Sequence, residues 1–184
     1  MRNIINLNAK WAFTKNADGI PAEINKKWDF VNLPHSWNAI DGQDGDNDYY
    51  RGTCYYAKEL KGTELPKAEE YYLEINGANS SADVYVNGKH LAHHDGGYST
   101  WRVNITEAIG GIQGDDQKGR QEESGEKNQA DSHGRSQIGD NLLVIAVDNS
   151  AGDSVYPQNA DFTFYGGLYR DVNIIAVAKS HFDL

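Results

Sequence analysis

The chain has 184 residues, 39% hydrophobic and 24% charged, with a formal net charge of -10. That length builds one domain with a sizeable core rather than two, and no apolar run approaches the roughly 20 residues needed to cross a bilayer. The acidic balance argues against nucleic acid as partner, which needs clustered Lys and Arg, and Cys54 as the only cysteine precludes an internal disulfide, in keeping with a reducing compartment.

The N-terminal stretch MRNIINLNAKWAF has a single Arg and no long apolar segment, so it does not read as a secretory leader. It predicts a cytoplasmic protein, unless an export signal has been removed. Further on, the dominant periodicity is two. YYLEING alternates Tyr71, Leu73 and Ile75 against Tyr72 and Glu74. DVYVNGKHLAHH puts Val84 and Val86 on one face, and Asn87-Gly88 then predicts a type I′ hairpin, whose two central residues need positive φ. GGYSTWRVNIT alternates as another strand, with Trp101 in the core. The one helical turn is predicted around ITEAIGG, with Thr106 as cap and Gly110 as stop.

From Gly111 to Asp140 the pattern breaks. This segment has three aliphatic residues (Ile112, Ala130, Ile138), eleven charges and six glycines. It cannot bury enough apolar surface to offset the entropy of ordering, and it reads as an acidic, flexible surface insertion between flanks that a short connection would join. NLLVIAVDNS and RDVNIIAVA follow as nearly continuous apolar runs, short and rich in Val and Ile, as buried sandwich strands are. The fold class is all-β, an antiparallel β-sandwich.

Five stretches carry a family resemblance: VNLPHSWN (31–38), GTCYYAKEL (52–60), YYLEINGANSSADVYVNGKHLAHHDGGYSTWRVNIT (71–106), NLLVIAVDNS (141–150) and FYGGLYRDV (164–172). In this order the chain resembles the N-terminal sugar-binding domain of glycoside hydrolase family 2, as found in its β-galactosidases. The resemblance implies a jelly-roll sandwich, similar to galactose-binding domains, over residues 1–178. Residues 179–184 would then lead to an immunoglobulin-like domain, with a TIM barrel beyond. The family's retaining mechanism uses two carboxyl groups about 5–5.5 Å apart. Both lie in the barrel, so no catalytic residue is expected in this stretch, which should be inactive alone. The full-length protein is expected to hydrolyse terminal β-D-galactosides. The alternatives are a freestanding carbohydrate-binding module, which the fold also permits, or the same domain from a β-glucuronidase or β-mannosidase.

The resemblance assigns two substrate-binding residues. Asp161, six residues before the second Gly of YGGLYRDV, would hydrogen-bond the terminal sugar. Asn38, after LPHSW, lies in a loop the family also directs towards it. Asp41 and Asp48 are weaker candidates. The carbohydrate is thus the expected partner, held jointly with the barrel of a parent that assembles as a homo-oligomer. No cofactor is expected here, although the family implies a monovalent or magnesium ion in the full-length enzyme; in some members the residue at the Asp161 position also helps to hold the monovalent cation. This chain has PQNADFTF where many relatives carry Pro-Ser-Ser, so the subsite contacts need not match theirs.

Other residues invite structural readings. Gly166 and Gly167 supply a tight turn where side chains would clash, and Arg170 and Asp171 suit an ion pair or backbone clamp. Trp37, Tyr98 and Phe164 are candidate stacking platforms, and His35 is a satisfied structural histidine. HLAHHD (His90, His93, His94, Asp95) is a tempting metal cluster. Strand alternation, however, sends neighbours to opposite faces and sets His90 and His94 about 13 Å apart, too far for one zinc with Zn–N near 2.0–2.1 Å.

Overall fold

A computed structural model describes residues 2–15, 17–39, 41, 49–110, 138–152, 154–155 and 164–182. Among the described residues, ten strands form two antiparallel sheets: β1 (Asn3–Asn6), β2 (Trp11–Thr14), β3 (Asp29–Val31), β4 (Thr53–Leu60), β5 (Glu70–Ile75), β6 (Ser81–Val86), β7 (Lys89–Asp95), β8 (Trp101–Asn104), β9 (Asn141–Asp148) and β10 (Val172–Val177). One sheet has the order β1-β10-β5-β8, the other β3-β2-β4-β9-β6-β7. From β4 onwards the chain changes sheet at every connection but the β6–β7 hairpin. This is a galactose-binding-like jelly-roll sandwich, as expected.

The period-two readings hold at residue level. Tyr71, Leu73 and Ile75 of β5 are buried while Tyr72 and Glu74 are half-exposed, and Val84 and Val86 point inward from β6. With Trp11, Tyr56, Leu143, Ile145 and Ile174 they fill the space between the sheets. Asn87 and Gly88 have φ of 51° and 77°, the left-handed pair the hairpin requires. β10, central in its sheet, is buried at all six positions. The outer face of the larger sheet has its own small cluster, where Ile24 and Trp28 pack over Ala12, Ala57 and Val144.

Four features differ from expectation. β1, β2 and β3 carry too few residues each to show a period. A short 3₁₀ turn at Gly62–Glu64 was also unforeseen. Thr106 is not the cap of helix α1 (Thr106–Ile109) but its first residue; its hydroxyl instead accepts the Tyr71 N–H at 2.9 Å. Gly110 does end the helix, donating to the Thr106 carbonyl.

The fourth difference is at the histidines. β7 shifts register between Val84 and Tyr85, which pair with Ala92 and His90, so Leu91 is extra. That bulge turns His90 and His93 to one face against the simple alternation, and both meet Asp83 Oδ1, at 2.7 and 3.0 Å. Even so, among the described residues no group of three His, Cys, Asp or Glu side chains is arranged to hold a metal ion. Most of the 111–140 segment lies outside the described residues. Its flanks meet, the Asn141 amide donating to the Ile109 carbonyl at 3.4 Å.

Candidate functional site

The loops at one end of the sandwich converge on Phe164–Gly167, the stretch between the aromatic-rich segment and β10. The peptide groups here are held mainly by side chains from distant parts of the chain. Phe164 N–H donates to the Tyr49 hydroxyl at 3.1 Å, and its carbonyl accepts from Asn149 Nδ2 at 2.9 Å. The Tyr165 carbonyl accepts from Asn79 Nδ2 at 2.7 Å. Gly166 N–H donates to Asn38 Oδ1 at 2.7 Å, and its carbonyl accepts from Ser36 Oγ at 2.9 Å. Gly167 exchanges two backbone bonds with Asn79.

Three buried asparagines do most of this, with Asn38 and Asn149 fully enclosed and Asn79 6% exposed. A buried amide is tolerated only when its donors and acceptor are matched, and the central pair meets that demand. Asn38 Oδ1 accepts from both Gly166 and Asn149, while its Nδ2 donates to the Asp41 carboxylate and the Tyr50 carbonyl. Asn149 Oδ1 takes the Gly52 N–H at 2.9 Å. Asn149 follows directly on β9, whose last residue, Asp148, pairs with Thr53 and Ser81, so the sheet itself aims this amide inward.

The glycines are needed for close approach. A Cβ on Gly166 would overlap the Trp37 ring, and one on Gly167, where φ is +136°, would overlap the His35 carbonyl. Beneath them, His35 Nδ1 and the Tyr56 hydroxyl are 2.8 Å apart. The Leu168 N–H points at the same hydroxyl from 3.5 Å, while His35 N–H donates to the Leu168 carbonyl. Burial, helped by Lys15, lowers the His35 pKa, and burial raises that of Tyr56. A neutral imidazole accepting the phenol proton fits both shifts, and His35 is the satisfied structural histidine expected.

The sequence candidates fall out unevenly. Asp161 and Asp48, and with Asp161 the cation contact that some family members make at its position, lie outside the described residues. Asn38 sits in the expected loop, and its amide oxygen and nitrogen are both hydrogen-bonded within the protein. Asp41 is likewise engaged, accepting from Asn38 and from the Tyr50 N–H at 3.1 Å. Trp37 is buried, stacked near Phe13 with centroids 6.2 Å apart, and bonded through its indole N–H to Tyr50; it belongs to the core. Trp101 is half-buried against the core, its face stacked on His94 at 4.8 Å. Tyr98 is exposed. Arg170 donates to the Asn76 and Tyr98 carbonyls, while Asp171 accepts from Asn8 at 2.7 Å. Both are backbone and loop clamps.

Sequence reasoning missed Asn79, Asn149, Ser36 and Arg51. The Arg51 guanidinium lies over the rings of Phe164 and Tyr49, 5.1 and 5.9 Å from their centroids, and its Nε donates to the Asn149 carbonyl at 2.8 Å. This end of the molecule therefore presents a hydrogen-bonded loop stem with aromatic surface and the oriented guanidinium of Arg51. Such a set suits a saccharide, whose ring faces are apolar and whose edges carry hydroxyls.

Residues 45–122 match the family described as glycosyl hydrolase 2 galactose-binding domain-like. A β-glucuronidase of Bacteroides fragilis is 32% identical over 164 residues, covering 83% of this chain and 20% of that protein. A β-galactosidase of Thermoanaerobacter pseudethanolicus is 26% identical, covering 98% and 22%. Among solved structures, Bacteroides uniformis β-glucuronidase 2, covalently bound to cyclophellitol-6-carboxylate aziridine, matches with a TM-score of 0.77 and 32% identity, over all of this chain and 19% of its own. The chain thus spans about a fifth of the length of these relatives.

Proposed function

Since this chain is a galactose-binding-like domain of glycoside hydrolase family 2, we propose that it serves a larger glycosidase as the part that braces the terminal-sugar subsite. In this reading the catalytic carboxylates come from elsewhere in the full-length protein. The domain supplies the aromatic-rich loop and, through the clamped Phe164–Gly167 stem, a fixed base for it. Asp161, three residues before Phe164 along the chain, is the residue proposed to meet the sugar hydroxyls, since a carboxylate accepts strong bonds from paired hydroxyls.

The substrate we favour is a β-glucuronide. The observation that carries this choice is the order of likeness, with β-glucuronidase relatives matching at higher identity than the β-galactosidase. This changes the preference drawn from the five sequence stretches, which was for a β-galactoside. The β-galactoside remains the second reading, because a β-galactosidase also matches over nearly the whole chain.

The test is turnover by the full-length protein of p-nitrophenyl β-D-glucuronide, β-D-galactoside and β-D-mannoside. The highest kcat/KM is expected on the glucuronide, and Asp161→Asn should lower it sharply without unfolding the protein. No turnover of any of the three would refute the reading, and so would unaltered kinetics in that variant.

A further inference from the structure

We infer that Arg51 is the specificity-determining residue of this subsite, and that its guanidinium takes the carboxylate of a uronic acid. The inference rests on the subsite reading above and names the chemical group that the domain contributes to recognising.

The first support is the way Arg51 is held. Its Nε is committed to the carbonyl of Asn149, a residue fixed by the fully enclosed amide pair. Its planar group rests over Phe164 and Tyr49, and stacking of this kind restrains a guanidinium without using its donors. The side chain is therefore oriented before any ligand arrives, which reduces the entropy lost on binding.

The second support is what remains uncommitted. Among the described residues, the two terminal amines of Arg51 have no hydrogen-bond or ion-pair partner in the protein. Two other arginines are committed. Arg102 is paired to Glu74 through Nη2 and Nε at 2.7 and 2.8 Å, and Arg170 is occupied by two carbonyls.

With Nε engaged, the free edge of Arg51 is the pair of terminal amines, a flat two-donor fork. Its geometric complement is a carboxylate, bound by two parallel charge-assisted bonds. A neutral hexose offers only a hydroxymethyl group at the corresponding carbon and draws little from the charge. A fork on the loop stem thus distinguishes sugar acids from neutral sugars, and it does so from outside the reacting atoms.

The experiment compares full-length wild type, Arg51→Met and Arg51→Lys on p-nitrophenyl β-D-glucuronide and p-nitrophenyl β-D-galactoside, with thermal unfolding recorded for each. Arg51→Met is expected to lose about 10- to 100-fold in kcat/KM on the glucuronide, the range for a charged hydrogen bond, and no more than about threefold on the galactoside. Arg51→Lys keeps the charge without the fork and should fall between. If Arg51→Met does not fold, the same change in substrate ratio is read from Arg51→Lys.

Equal losses on both substrates, or no loss on the glucuronide, overturn the inference and leave the subsite reading in place. So does a wild type that hydrolyses the galactoside but not the glucuronide. A wild type that hydrolyses neither overturns both.

Discussion

Replacing Asn149 with Ala removes one fully buried amide and disturbs three segments at once. The lost bonds are those from Nδ2 to Asn38 Oδ1, to the Tyr50 carbonyl and to the Phe164 carbonyl, and the one from Gly52 N–H to Oδ1. Two of these partners have other bonds to fall back on. Asn38 Oδ1 keeps Gly166 N–H, and the Tyr50 carbonyl keeps Asn38 Nδ2 and the Trp37 indole. The Gly52 N–H loses its Asn149 acceptor. At about 1–3 kcal/mol for a stranded group, the substitution should destabilise the domain by about 1–3 kcal/mol, a sizeable share of a typical total of about 5–15 kcal/mol. In a urea titration with a slope near 2 kcal/mol/M, that lowers the midpoint by about 0.5–1.5 M.

The nearly isosteric Asn149→Asp sharpens the test. It keeps an acceptor for Gly52 but turns a second oxygen towards three others. The introduced carboxyl is then stable only when protonated, so its folded pKa is raised above the unfolded value. Its stability deficit should grow as pH rises through that window and shrink in acid. A midpoint shift below about 0.3 M for Asn149→Ala, or a pH-independent deficit for Asn149→Asp, would refute the claim that the amide holds the stem.

Gly166→Ala should destabilise by about 2–3 kcal/mol, the upper range for an overpacked site, because the ring it would strike is held by Phe13 and the Tyr50 carbonyl. Gly139→Ala, where an added Cβ meets nothing within 4 Å, is the control, and Tm reads both. The Cys54 thiol is buried and its pKa is pushed up to about 12, by burial first. As the thiolate is the reactive form, labelling with a thiol reagent at pH 8 should be slow in the native protein and rise with denaturant along the unfolding curve; rapid native labelling would contradict the burial. His35 has a folded pKa below its usual 6.5, so its contribution is complete above that value and is lost as pH falls through the folded pKa. His93 has the opposite sign: burial pulls its pKa down, but bonds to Asp83 and Asp95 raise it overall. In a His93→Asn background, the fall in Tm from pH 7.5 to pH 5 should therefore be smaller for His35→Gln than for native His35, and an unchanged fall would remove His35 as its source.

Much of the fold was legible because the strands from β5 onwards announce themselves locally. Alternation in Glu70–Ile75 and Ser81–Val86, the Asn-Gly turn, and the continuous apolar runs of β9 and β10 all arise from which face of a strand meets the core. Where a strand is too short to show a period, as in β1–β3, local reading has nothing to count. Where a residue is inserted, as at Leu91, counting gives the wrong face, and His90 and His93 come together against expectation. The bulge is set by pairing with β6, which no window along β7 contains.

The loop end was legible only where a residue type carries a backbone demand. Gly166 and Gly167 could be read as a close approach, because few other reasons place two glycines before a buried strand. Asn38, Asn79 and Asn149 could not, since an asparagine in a polar stretch reads as a turn former whether its amide faces water or is fully enclosed. What separates the two cases is the partner, and Asn38 and Asn149, which bond to each other, lie 111 positions apart in the chain. The same holds for Arg51, whose neighbours Tyr49, Asn149 and Phe164 are brought together only by the closed sandwich. This end of the domain owes its geometry to long-range polar bonds within an apolar frame. A substitution there is therefore expected to alter the shape of the loop stem before it alters the sheets, and the order in which Arg51 contacts and core contacts fail on denaturation follows from that arrangement.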